Sequence, residues 1–133
     1  MIVVDAGVVI AATTPAHLHH DAAQRIVAEH GGGGMVLHPL TMADILVGPA
    51  RGGAEAHARR VPEAAGFGLA PDGGPSPEGG ARAVTSPVAL KMSDACVLAT
   101  AEQLGVPLAT FDQRLTREAL NRQVVVLGLD ADG

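Results

Sequence analysis

Four aspartates stand where the chain changes direction. Asp5 ends the β-branched run Ile2-Val3-Val4, and Asp112 closes the apolar stretch Val106–Thr110. Asp94 opens the helical pattern Ser93–Leu104, and Asp44 follows Thr41 by three residues. Each has a local explanation. Asp5 and Asp112 suit the N-caps of the helices that follow; Asp44 stands at a capping-box spacing from Thr41, although Glu is the better match there; Asp94 complements a helix dipole. Jointly they suggest chemistry. In an open α/β sheet the functional crevice lies beyond the carboxyl ends of the strands, where Asp5 and Asp112 should emerge side by side. Helices starting at the same rim bring Asp44 and Asp94 to it. Four carboxylates within a few ångströms repel one another, and a divalent cation relieves the repulsion. Hard oxygen donors without Cys or His suit Mg²⁺ or Mn²⁺.

The elements that must position these acids follow from the pattern. Strands are expected at 2–4, 35–37, 106–110 and 124–127, the last buried, with a short edge strand at 66–70. Helices are expected at 6–12, 19–30, 41–47, 54–61, 93–104 and 113–121, separated by Gly and Pro punctuation. Ser93 reads as the cap of its helix and Gly105 as its stop. Residues 66–92 are the least regular stretch: 78–84 is at most a brief helix, and 71–80 should exchange its amides fast. Alternating strands and helices predict a three-layer α/β domain, a central mainly parallel sheet flanked by helices, over residues 1–133 as one unit.

Composition narrows the function. The chain has 133 residues, 47% of them hydrophobic and 17% charged, with a net charge of −5. That balance excludes a disordered chain and a general polyanion-binding surface, so phosphate chemistry here needs a metal to reverse the local sign. Aromatics are 2%, Phe67 and Phe111, too few for a base-stacking platform of the RRM or OB type. Cys96 is the single cysteine, which excludes a disulfide framework and a thiolate zinc site and suits a reducing, cytoplasmic setting. No apolar run is long enough for a membrane span, and MIVVDAGVVIAA reads as structure because it lacks a basic leader and carries Asp5.

Other candidates have plainer readings. His17, His19 and His20 suit a helix entry better than a zinc site, and Gly31–Gly34 is a loop because no Gly-Lys-Ser/Thr follows. Cys96 reads as a packed core thiol. Arg51, Arg59 and Arg60 are candidate phosphate contacts on solvated helix faces.

Three blocks carry a family resemblance. MIVVDAGVVIAA resembles the opening strand of PIN-domain proteins, specifically the VapC-type toxins of toxin–antitoxin pairs. HPLTMADILVGPAR resembles their segment with the second acid, and SDACVLATAEQLGVPLATFDQRL is the most specific match. The resemblance implies a metal-dependent endoribonuclease that leaves 5′-phosphate and 3′-hydroxyl ends. Asp5, Asp94 and Asp112 would hold Mg²⁺ or Mn²⁺, and Asp44 would help directly or through water. Thr110 and Arg51 would assist with water or phosphate. It also implies an antitoxin partner and a homodimer. Two positions depart from the pattern: Gly7 replaces the usual Ser or Thr, and Asp44 the usual Glu. They motivate the rival reading, a degenerate PIN domain that binds RNA or protein without cutting. A phosphoacceptor receiver-like domain fits less well, since it wants a Lys near the last strand and the only one is Lys91.

Overall fold

A computed structural model describes residues 1–69 and 90–128. Among the described residues five strands form one all-parallel sheet: β1 (Ile2–Val4), β2 (Met35–Leu37), β3 (Phe67–Leu69), β4 (Leu108–Thr110) and β5 (Val126–Gly128), in the order β3-β2-β1-β4-β5. Among the described residues six α-helices accompany them: α1 (Ala6–Thr13), α2 (His20–His30), α3 (Pro39–Arg51), α4 (Glu55–Ala64), α5 (Met92–Leu104) and α6 (Gln113–Asn121).

The strands are apolar on both faces because both faces are covered. Ile2 and Val4 of β1 pack toward Val8 and Val9 of α1, Ile26 of α2 and Met42 of α3. Val3, between them, turns to the other layer with Val36, Leu108, Val97 and Leu98 of α5, and Leu115 of α6. This alternation divides the core into two halves on either side of the sheet. Helix α5 is buried from Ala95 to Ala101, which is why its sequence is apolar on nearly every side.

The α/β class and parallel sheet agree with the sequence reading, as do β1, β2, the edge strand β3 and α6 at its full length. Several boundaries differ, each for a local reason. Helix α3 starts at Pro39 rather than Thr41, since proline suits the first turn and His38 caps it through Nδ1, which accepts from the Leu40 amide at 3.0 Å. Thr41 is therefore inside the helix and forms no capping box with Asp44; its hydroxyl is buried with no hydrogen-bond partner among the described residues. Neither Pro49 nor Pro62 ends its helix: α3 runs on to Arg51 and α4 to Ala64, with Pro62 buried. Lys91, not Ser93, occupies the N-cap of α5, and among the described residues no side chain caps that end. Gly105 closes α5 in the left-handed conformation at φ 66°, as expected. Strand β5 begins at Val126, two residues late, and is a half-buried edge rather than a buried strand. The expectations for 71–80 and 78–84 lie outside the described residues.

Candidate active site

Parallel pairing of β1 with β4 aligns Val4 with Ala109, so both strands deliver their next residues to one rim. Asp5 follows Val4; its amide bonds to the Ala109 carbonyl at 3.0 Å, and its side chain is buried. Both carboxylate oxygens are engaged. Oδ1 accepts from the Ala6 amide at 2.7 Å, capping α1, and Oδ2 accepts from the Thr110 hydroxyl at 2.9 Å. The same Thr110 oxygen accepts from the Asp112 amide at 3.0 Å. One hydroxyl thus ties the first acid to the turn that carries the last. Asp112 in turn caps α6, its Oδ1 accepting from the Leu115 amide at 2.9 Å. The capping roles expected of Asp5 and Asp112 are real, and they fix where the carboxylates sit.

Asp94 lies in the first turn of α5 and is half-buried, while Asp44 is exposed on α3. The four acids share one electrostatic neighbourhood. Burial pushes the Asp94 carboxyl from its ordinary 3.8 up to about 6, with Asp5, Asp112 and Asp44 adding repulsion against some relief from Lys91. Asp5 is also raised, first by burial; the Thr110 and Ala6 hydrogen bonds pull it down, and Asp112 and Asp44 push it up. Burial leads both shifts, and repulsion among the four acids adds to them.

Among the described residues no group of three or more His, Cys, Asp or Glu has metal-holding geometry. One oxygen each of Asp5 and Asp112 is engaged by the helix it caps. In donor chemistry the cluster fits a hard divalent cation, since every charged oxygen comes from a carboxylate and the surplus charge is what such an ion compensates.

Thr110 differs from its expected role. It is fully buried, its single proton goes to Asp5, and its oxygen also receives the Asp112 amide. It organises the acids and has no free proton for water or phosphate. Arg51 is exposed at the end of α3, about 10 Å beyond Asp44 along the helix axis. Arg59 pairs with Glu63 at 3.1 Å, and Arg60 is exposed on α4. At Gly7 an added Cβ would meet none of the described residues within 4 Å.

The remaining candidates take structural roles. His17 Nδ1 accepts from the His19 amide at 3.0 Å, and His20 Nδ1 lies 2.7 Å from the Ala11 carbonyl, so these two stitch the α1–α2 connection. Cys96 is buried, and burial pushes its thiol up, as suits a core residue. Gly31–Gly33 form a 3-10 turn, and the Gly34 carbonyl then receives the Ile2 amide at 2.9 Å. Sequence reasoning missed two neighbours of the site. His38, buried at the end of β2, is one; its position before Pro39 was the available signal. The other is the stack of His19 on Phe111, with centroids 4.6 Å apart and planes at 20°, for which no sequence signal exists.

A family model for the PIN domain matches residues 2–119. The chain belongs to the PIN-domain family. That span contains all four acids of the rim, and PIN domains are generally nucleases. No curated protein matches this PIN domain. Among the described residues, no helix is long and apolar enough to cross a membrane.

Proposed function

We propose that this PIN domain is a Mg²⁺- or Mn²⁺-dependent endoribonuclease of the VapC type, the toxin of a toxin–antitoxin pair. The observation that carries the reading is the charge-strained rim, where Asp5 and Asp94 both have raised carboxyls beside Asp44 and Asp112. Asp5, Asp94 and Asp112 would hold the ion directly, and the exposed Asp44 would reach it through water. Bound there, the ion supplies an activated water and neutralises charge on the scissile phosphodiester. The protein's own part is positioning. Thr110 orients Asp5 and tethers the Asp112 turn. The two caps stop both carboxylates from rotating away. Arg51 stands along α3 as a contact for a phosphate further along the RNA.

With a net charge of −5 and an acidic rim, RNA should approach productively only when cations are present. Attack by the water in line with the leaving 3′-oxygen gives a 5′-phosphate and a 3′-hydroxyl. An antitoxin and a second copy of the chain are the proposed protein partners, with cytoplasmic localisation. Exposed Ile10, Leu18, Val47, Val61 and Met92 offer apolar surface for such contacts.

The test is cleavage of defined structured RNAs by purified protein in Mn²⁺, Mg²⁺ or EDTA, with Asp5→Asn and Asp94→Asn beside the wild type. Divalent-dependent cutting that both variants lose supports the reading. Cutting that survives in EDTA or in both variants overturns it. One observation favours a second reading, a PIN domain that binds without cutting: Asp44 is exposed, and no metal-holding group is preformed among the described residues. Retained RNA or antitoxin binding with no cleavage in any metal selects that one. Light scattering that shows a monomer at tens of micromolar, roughly the range where weak interfaces dissociate, refutes the dimer.

A further inference from the structure

Strand β5 lies beyond the residues that match the family model, yet its last residue touches the segment that organises the acids. Gly128 pairs with Thr110 in the β4–β5 ladder. Its φ of +125° is a conformation that side-chain-bearing residues rarely adopt. A Cβ placed there would be driven into the Thr110 carbonyl oxygen, well inside van der Waals contact, and would sit 3.3 Å from Cδ1 of Phe111. The atoms in the way are backbone, and backbone yields only if the strand end moves.

What moves with it is specific. Thr110 carries the hydroxyl shared by Asp5 and Asp112. Phe111, the next residue, stacks on His19. Asp112, the one after, caps α6. The stretch Thr110–Asp112 is thus held by the shared hydroxyl, the ring stack and the cap, with Gly128 against its peptide backbone.

We propose that Gly128 is a positioning residue of the rim: its bare backbone seats the Thr110–Phe111 peptide so that one hydroxyl holds Asp5 and Asp112 in register. This rests on the metal-dependent reading for its effect on ion binding, but not for its effect on the segment itself. A partner that supports an ion's ligand from behind typically costs 10–100-fold in metal affinity when lost.

The test compares Gly128→Ala with Leu127→Ala, a truncation on the same strand that removes core packing at a residue paired with Ala109 rather than Thr110. Two readouts need no metal: exchange of the Asp112 amide, which donates to Thr110, and the ring-proton resonances of His19. The third is Mn²⁺ affinity by calorimetry. Gly128→Ala should speed Asp112 exchange, shift the His19 resonances and weaken Mn²⁺ binding by about tenfold or more. Leu127→Ala should lower stability with little change in any of the three. If Gly128→Ala does not fold, Asp112 exchange and Mn²⁺ affinity are read on Gly128→Ala with Phe111→Leu against Phe111→Leu alone, since losing the ring removes the His19 stack. That pair relieves the ring contact and leaves only the carbonyl to yield. Unchanged exchange and resonances overturn the proposal, as does an effect no larger than that of Leu127→Ala. Absence of Mn²⁺ binding by the wild type instead overturns the metal reading, and the two metal-free readouts then decide the role of Gly128.

Discussion

Replacing Asp94 by Asn should make the metal-free protein more stable, a sign opposite to that of most substitutions in a packed site. The carboxyl titrates at an ordinary 3.8 when unfolded and at about 6 when folded. Between those values the folded protein holds the proton more tightly, so wild-type stability falls as pH rises from about 4 to about 6 and stays low above. At 1.36 kcal/mol per unit the full shift converts to about 3 kcal/mol. Asp94 is only half-buried, and solvent screening reduces this to about 1–2 kcal/mol. Asparagine removes the charge, so Asp94→Asn should unfold about 3–8 °C higher than wild type at pH 7.5 in EDTA. Near pH 4 the difference should vanish, because the wild-type carboxyl is then protonated as well. Mn²⁺ should reverse the order, stabilising the wild type and leaving the variant unmoved. Thermal unfolding followed by circular dichroism, with and without Mn²⁺ across that pH range, measures all of it. A variant less stable than wild type at neutral pH, or a difference independent of pH, refutes the account of Asp94 as a carboxylate held against burial and like charge.

Four further outcomes are expected. Asp44→Glu should keep or raise cleavage, since one more methylene lets the carboxylate reach inward, while Asp44→Asn should lose less activity than Asp5→Asn; a strongly impaired Asp44→Glu counts against reach as the limit. His38→Ala should cost about 1 kcal/mol by removing the α3 cap, with His38→Asn restoring it, as denaturant unfolding will show. Burial lowers the His38 pKa from 6.5, so its protonation opposes folding: stability lost by the wild type as pH falls below about 6.5 should be partly spared in His38→Asn. Arg122→Met breaks the ion pairs to Glu102 at 2.8 Å and to the buried Glu118 at 3.0 Å, and should cost about 2 kcal/mol in urea unfolding without altering Mn²⁺ affinity.

Much of this protein was legible before folding was considered. Ile2-Val3-Val4 is apolar on both sides because a central parallel strand is covered on both, and that pattern announces the sheet. Asp5 and Asp112 announce themselves as strand-end residues and caps, and Gly105 marks the end of α5. Each of these signals is local: a side chain and a backbone group a few residues apart satisfy one another wherever the rest of the chain goes. The helix ends at Pro49 and Pro62 were misjudged because packing holds a helix together past a proline that propensity alone would let break it. The site itself depended on more than local pattern. Thr110 and Asp5 are far apart in sequence, and only β1–β4 pairing makes one hydroxyl serve two acids. The raised carboxyls of Asp5 and Asp94 come from burial and from neighbours brought in by four separate elements. Asp44 shows the limit from the other side: sequence put it at the rim, but its exposure on α3 depends on how that helix packs. Residue type and order determined which groups the chain can offer. The crossings of the sheet decided which of them share a field, because desolvation and Coulomb repulsion act through space and not along the chain.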